Sequence, residues 1–579
     1  VIILVCWLPY LIVLFPGTTD PLNTLNELLQ YHGSPVVASE AVSQAAVGSA
    51  VSADSPLLHR MLLGLFVDFG ALLGSQSFGL FLFVLLQTAV LSTALAATVA
   101  YQRRLGSPLI LRMALLLGFA LVPLFPGWAL CVSQATLFAA LTAWYVMFMV
   151  EAVRNPSAFL EKKWPLPAFF VLALLMPLVG ESGIFMLLLS APFLLFVRHA
   201  GARRAAVMGI TAAVFFLVSA LLLLPAAGVS VSSVKAPLPA AFQQSARCLA
   251  IHPTDVTPAE TAAIGAVLDV SAAPSLYNAG LADPVAQTFK KDASGTAVTG
   301  YLGAWAQMGL RHPDTYALAT LSNSYSYFYP GSYTSWTWTH VNRLGPGSQG
   351  DISELYRAAG VSFGQPEALE GPRNLVYESS RLFMLSPLSL PTNIGFAVWI
   401  VLFSCVLVLK QRKGAALAAF SPLLALMASF LVAPMNGDIR LALPLIATMP
   451  LLLTFALALL RQRRPQNERR RRKSANTPLK PQRPRRGWLV EAHTPSGGPG
   501  GLGGSGGGVS NGGAVTPSTA TREGGRVPQY SEADHSYDSE SAQAQDNDAA
   551  RAGEGAEGSG TKAAESKPDI TQRNTIRYS

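Results

Sequence analysis

The sequence predicts an all-α polytopic membrane protein with about ten transmembrane helices. Three observations predict it. Of 579 residues, 51% are hydrophobic and only 13% charged, about half the charge of an ordinary soluble domain. Ten apolar runs reach or approach the roughly 20 residues that a bilayer-spanning helix needs. Clusters of Lys and Arg then recur after every second run, the pattern of alternate loops facing the cytoplasm. Together these exclude a single cytosolic globular enzyme.

The runs lie at roughly 1–15, 79–101, 108–124, 135–153, 165–180, 183–197, 206–227, 392–409, 414–433 and 441–460. The first begins at Val1 with no Met, so either a start codon is read literally as Val or the true N-terminus lies upstream. No cleavable signal peptide is visible. The clusters Arg103/Arg104, Arg154/Lys162/Lys163, Arg198/Arg203/Arg204, Lys410/Arg412/Lys413 and the run from Arg461 are expected to face the cytoplasm. The outer face then receives 16–78, short turns at 123–128 and 180–183, the long segment 228–390, and 434–440. The chain therefore divides into seven spans (1–227), an extracytoplasmic domain (228–390), three spans (391–460) and a tail (461–579).

Residues 57–73 would invert every later loop if they crossed the membrane, and His59, Arg60 and Asp68 make them a poor span. They fit an amphipathic helix lying in the interface. Residues 22–32 read the same way, with Leu22, Leu25, Leu28 and Leu29 on one face. In the outer segment, Thr257 and Glu260 form a capping box that predicts a helix near 258–268. Further helices are expected at 298–310 and 313–324. Residues 325–340 hold seven aromatics, which suit an interfacial belt, a packed hairpin, or a platform on which sugar rings stack.

The net charge of +9 is local: residues 461–486 carry twelve Lys/Arg and one Glu. Beside a membrane helix this segment reads as an anchor on anionic lipid headgroups, not as a nucleic-acid site. The Gly-rich stretch 497–508 and the polar residues after it predict a disordered cytoplasmic tail. Cys6, Cys131, Cys248 and Cys405 show no CxxC or Cys/His metal spacing. Cys131 and Cys248 share the outer side, where two free thiols are expected over a disulfide.

No Walker, HExxH, GxSxG or dinucleotide motif occurs on the cytoplasmic side, so chemistry is expected on the outer face. Charged residues within spans are nearly absent, which disfavours an ion-coupled transporter. Gln87, Ser92 and Thr93 are isolated and read as packing contacts, not as the polar path of a flippase. The outer face gathers Asp20, Asn23, Glu27, Asp54, His59 and Arg60 from the first loop, then Glu181, Asp438 and Arg440.

The first span ending in PYLIVLFPG, the loop beginning TTDPLNTLNELLQ, and SPLLH before a helix resemble the GT-C fold of polytopic glycosyltransferases that use polyprenyl-phosphate-linked sugars. The chain also resembles an uncharacterised family of large bacterial membrane proteins found in Gram-positives, including actinobacteria. That resemblance rests on QQSARCLAIH (243–252), YNAGLADPV (277–285), GYLGAWAQMGLRHPDTY (300–316), YFYPGS (327–332) and APMNGDIRLALPLI (433–446), and it covers roughly 1–460. Where that family has Asp-Thr, this chain reads Asn23-Thr24, leaving Asp20 as the nearby carboxylate. Its His-Pro reads Ser55-Pro56, with Asp54 before it and His59 retained, and its Lys-Asp reads Ser133-Gln134.

The GT-C resemblance implies an inverting transfer of a sugar from a polyprenyl-phosphate carrier to an envelope acceptor. A carboxylate must reach the acceptor hydroxyl, so Asp20 and then Asp54 are the expected catalytic residues, with His59 assisting. Arg60 and Arg440 suit the departing phosphate, and Glu181 and Asp438 the substrate. A divalent metal between Asp20 and Asp54 is compatible with these donors, though no spacing requires it. The rival expectation is a membrane scaffold whose outer domain and basic tail recruit envelope machinery.

Overall fold

A computed structural model describes residues 1–32, 55–226, 238–290, 293–332, 339–340, 356 and 360–475. These residues fall in one compact unit, 1–481. Residues beyond 475, with the end of the basic segment and the whole Gly-rich stretch where a disordered tail is expected, lie outside the described residues. Described strands are limited to three pairs of residues, and the rest of the regular structure is helical.

Every apolar run became helix. Gln76–Arg104, Gln134–Arg154, Ala200–Leu223 and Ile439–Arg461 are long and apolar enough to cross a membrane. Leu109–Leu121 and Leu124–Leu130, bent by 48° at their junction, make a broken span or a re-entrant loop. The bend falls at Val122, which is extended because the ring of Pro123 crowds the helical conformation of its predecessor. Ile2–Val13, Pro165–Val179, Gly183–Phe196, Ile394–Lys410 and Ser421–Val432 are apolar but shorter. The chain is thus an all-α membrane protein, and outward stripes such as Trp399, Phe403 and Val406 stay exposed, as a lipid-facing surface requires. Polar residues inside the bundle serve packing: buried Gln87 donates to the carbonyls of Ala129 (2.9 Å) and Cys131 (2.7 Å) at the end of the bent helix.

The two helices expected in the first outer loop are present as Pro21–Tyr31 and Leu57–Leu72. Their placement starts at Gly17. Its φ of +142° favours glycine, and a Cβ there would meet Val84 Cγ2 at 2.7 Å. Thr18–Thr19 then pairs parallel with Cys131–Val132 and antiparallel with Thr339–His340. From the far side of the sequence, buried Arg373 donates to the carbonyls of Val13 and Phe15, both at 3.1 Å, where the first helix ends in orphan acceptors. The loop thus leaves the first helix in a fixed direction, and Asp20 is the next residue after the strand.

Residues 238–316 enclose a second hydrophobic core around Phe242, Ile264, Tyr301 and Met308. The expected capping box forms, with Thr257 and Glu260 each bonded to the other's backbone, and starts Pro258–Gly265. Gly295–Arg311 and Pro313–Phe328 answer the other two expected helices. Leu238–Ile251 runs antiparallel to Pro313–Phe328, since Gln244 bonds Thr320 (2.8 Å) while His252 meets Thr315 (3.1 Å). All four cysteines are free thiols.

Candidate functional site

Two segments more than a hundred residues upstream, 280–282 and 323–327, meet the loop at residues 433–440. The Ala282 amide donates to Pro434 O (2.7 Å), and the Asn436 amide to Gly280 O (2.9 Å). From the end of Pro313–Phe328, Asn323 donates to Ala433 O (2.5 Å) and the Ser326 amide to Asn436 Oδ1 (2.9 Å). Fully buried Tyr327 stacks on Phe430, donates to Met435 O (2.8 Å) and accepts from the Asp438 amide (3.0 Å). Gly437 takes φ +69°, with Ser326 Cβ 2.8 Å from where a side chain would begin. The loop is clamped on two sides, so the first residues of the last helix, Asp438 and Arg440, are held rigidly.

Arg440 lies at the centre. Its Nε bonds both oxygens of Asp438 (3.0 and 2.8 Å), and its Nη1 reaches Asp20 Oδ2 at 2.5 Å. Asp438 also accepts from the Arg440 amide (2.9 Å), capping the helix. Asn23 donates to Asp20 Oδ2 (2.7 Å), so Asp20 turns from its own helix N-terminus toward Arg440. A third carboxyl, Asp283, is buried nearby. Burial raises its pKa to about 7, with Glu181 and Asp438 adding to the rise and Arg440 opposing it. One guanidinium therefore bonds Asp20 and Asp438 and is in electrostatic range of Asp283, as Glu181 is. The Arg440 and Asp20 side chains keep 18% and 25% of their surface exposed, so the cluster is reachable from outside.

Of the expected site residues, the structure brings Asp20, Asp438 and Arg440 into contact and places Glu181 near Asp283. His59 and Arg60 sit on the Leu57–Leu72 helix and face the other loop helix. His59 Nδ1 is 2.7 Å from Glu27 Oε2, with side-chain exposures of 0% and 8%, and Arg60 donates to Gln30 at 2.9 Å. Buried Tyr356 is within electrostatic reach of both Asp20 and Glu27. Burial and then those two carboxylates push its pKa well up, so it remains a hydroxyl donor. Asp54 lies outside the described residues, as do Tyr333, Trp336 and Trp338. Of the described aromatics there, Tyr325 and Tyr329 are exposed and Tyr327 is core.

Sequence reasoning missed Asp283 and Tyr327. Both stand inside motifs quoted above, but a lone Asp before Pro284 reads as a helix start, and a lone Tyr as packing.

The fold and site define an all-α membrane protein whose helical segment 238–328 is clamped onto the loop before its last apolar helix, beside a part-buried Arg–carboxylate cluster. The chain belongs to a family of unknown function, DUF6020, which it matches over residues 49–473. No curated protein and no solved structure matches it.

Proposed function

We propose that this protein is a GT-C-like glycosyltransferase that moves a sugar from a polyprenyl-phosphate carrier to an extracytoplasmic envelope acceptor. The carrying observation is the cluster itself: Asp20 of the first outer loop and Asp438 before the last helix both bond Arg440, and Asp283 of the outer domain lies within its electrostatic reach. An excess of acid over base in a part-buried site keeps one carboxyl poised to move a proton. Asp283, with its pKa near 7, is the group suited to take the proton from the acceptor hydroxyl. Asp20, fixed by Arg440 and Asn23, orients that hydroxyl, and Asp438 fixes Arg440. The acceptor oxygen bonds the anomeric carbon as its bond to the phosphate oxygen breaks, and the phosphate leaves with the electron pair. In this reading the shorter apolar helices complete about ten spans, and the basic tail is cytoplasmic against anionic lipid headgroups.

The test compares envelope glycans and glycolipids in a deletion strain re-expressing the native protein, Asp20→Ala or Asp283→Asn at matched membrane levels. Loss of a glycan that only the native protein restores supports transfer at this cluster. Restoration by all three versions overturns it and favours the scaffold.

A further inference from the structure

The outer domain carries a second chemical cluster that plays no part in the reading above. His252 and His312 stack with ring centroids 4.0 Å apart and planes 10° apart. Asp255 Oδ2 stands 3.5 Å from His312 Nε2, too far for a good hydrogen bond, and that nitrogen is buried with no hydrogen-bond partner. One ligand atom from each of the three residues lies within 4.8 Å of the others. A shared cation would satisfy the orphaned ring nitrogen, the second imidazole and the carboxylate together. Arg311, next to His312, does not compete, because its guanidinium is turned to Glu260 at 2.5 Å.

We propose that His252, Asp255 and His312 bind a divalent transition-metal ion of the zinc type. Two imidazoles and a carboxylate are donors that zinc favours, at bonds of about 2.0–2.2 Å, and small side-chain rotations bring the set to that distance. Thr315 Oγ1, 3.1 Å from His252 Nε2, holds one ring as outer partners of metal-bound histidines do. Asp255 is 54% exposed, which gives an entry path and leaves a coordination position to water. The site also has a structural consequence. It joins the outer ends of the two antiparallel helices, Leu238–Ile251 and Pro313–Phe328, whose inner ends carry Gln243, bonded to Asn278 O, and the Asn323–Tyr327 clamp. From 312 to 323 a helix rises about 16 Å, so the ion is separate from the Arg440 cluster yet braces the helices that hold its loop.

The full-length protein, purified without a histidine tag, is stripped with chelator, given one equivalent of Zn²⁺, desalted and assayed for bound metal. Co²⁺ absorption and thermal melting are recorded on the same samples. The expected result is about one zinc per chain, a Co²⁺ d–d band, and a melting temperature that rises with Zn²⁺. His312→Ala loses the zinc and the band. Asp255→Asn, at an exposed position that the metal-free fold does not need, weakens zinc at least about tenfold with unchanged metal-free melting. Less than a tenth of an equivalent on the native protein, or equal zinc on both variants, overturns the site. Because the readouts are metal content and spectrum, the result is independent of sugar transfer.

Discussion

Asp20 and Glu27 stand seven residues apart, two turns along the same outer-loop helix, yet their surroundings differ in kind. Glu27 is sealed against His59, one acid to one base, in the packing of two helices. Asp20 and Asp438 both bond Arg440, Asp283 lies within electrostatic reach of the same guanidinium, and water still reaches Asp20. The Glu27–His59 pair balances one acid with one base away from water, although His59 Nε2 is buried with no hydrogen-bond partner among the described residues. Near Arg440, burial raises the Asp283 pKa to about 7, so that carboxyl can exchange a proton near neutral pH. Under the proposed function, the Glu27–His59 pair is structural and the Arg440 cluster carries the chemistry.

The largest expected effect comes from Arg440→Gln, which leaves the carboxyls without their cation. Breaking a buried pair by removing one partner costs about 3–5 kcal/mol, so melting in detergent should fall sharply and transfer should vanish. Adding Asp20→Asn should recover part of the melting temperature and none of the activity. If Arg440→Gln melts like the native protein, the cluster is not coupled as described.

Gly17→Ala should come next. The left-handed backbone costs about 1–2 kcal/mol for a side chain, and overlap with Val84 adds about 1–3 kcal/mol. Its effect should be selective: Thr18–Asp20 shifts away from Arg440, while the Glu27–His59 pair, held by its own helices, stays. Adding Val84→Ala should relieve the overlap but not the backbone cost, and melting of the three variants checks this order.

Glu27→Gln sharpens the comparison from the other side. Weakening a buried charged hydrogen bond costs about 1–3 kcal/mol, so melting should drop while glycan produced per folded molecule stays near native. A drop in transfer beyond the loss of folded protein would return Glu27 and His59 to the chemistry.

Most of the architecture was legible because its signals are local. Apolar runs, the Thr257–Glu260 capping box and the paired loop helices each follow from neighbouring residues. Asp20, Asp438 and Arg440 were legible as polar residues on one face, but their contact was not: 420 positions separate Asp20 from Arg440, and only the strand at Thr18 and the clamp at 433–437 bring them together. Asp283 was invisible for the same reason, since its raised pKa comes from burial and from Glu181 and Asp438, all set by tertiary packing. The His252–His312 stack was equally hidden, its rings coming from two helices whose antiparallel register no spacing reveals.

The smallest effect near neutral pH, and the most informative, belongs to Asp283→Asn. The raised pKa means the folded state holds this proton more tightly than the unfolded chain, whose value is near 3.8. Its contribution to stability is therefore complete below about pH 4 and is lost as pH rises through about 7. The native protein should lose melting temperature relative to Asp283→Asn across that window, and the gap should stop changing above it. Transfer by the native protein should run the opposite way, rising through about pH 7 as the carboxylate becomes able to accept a proton, while the Asn variant stays inactive throughout. Stability and activity with opposite slopes over one pH window, both abolished by one substitution, would tie the surplus acid of the cluster to its work. A melting profile for Asp283→Asn parallel to the native one would show instead that Asp283 is ionised like any surface carboxylate, and the distinction between the two buried sites would lose its basis.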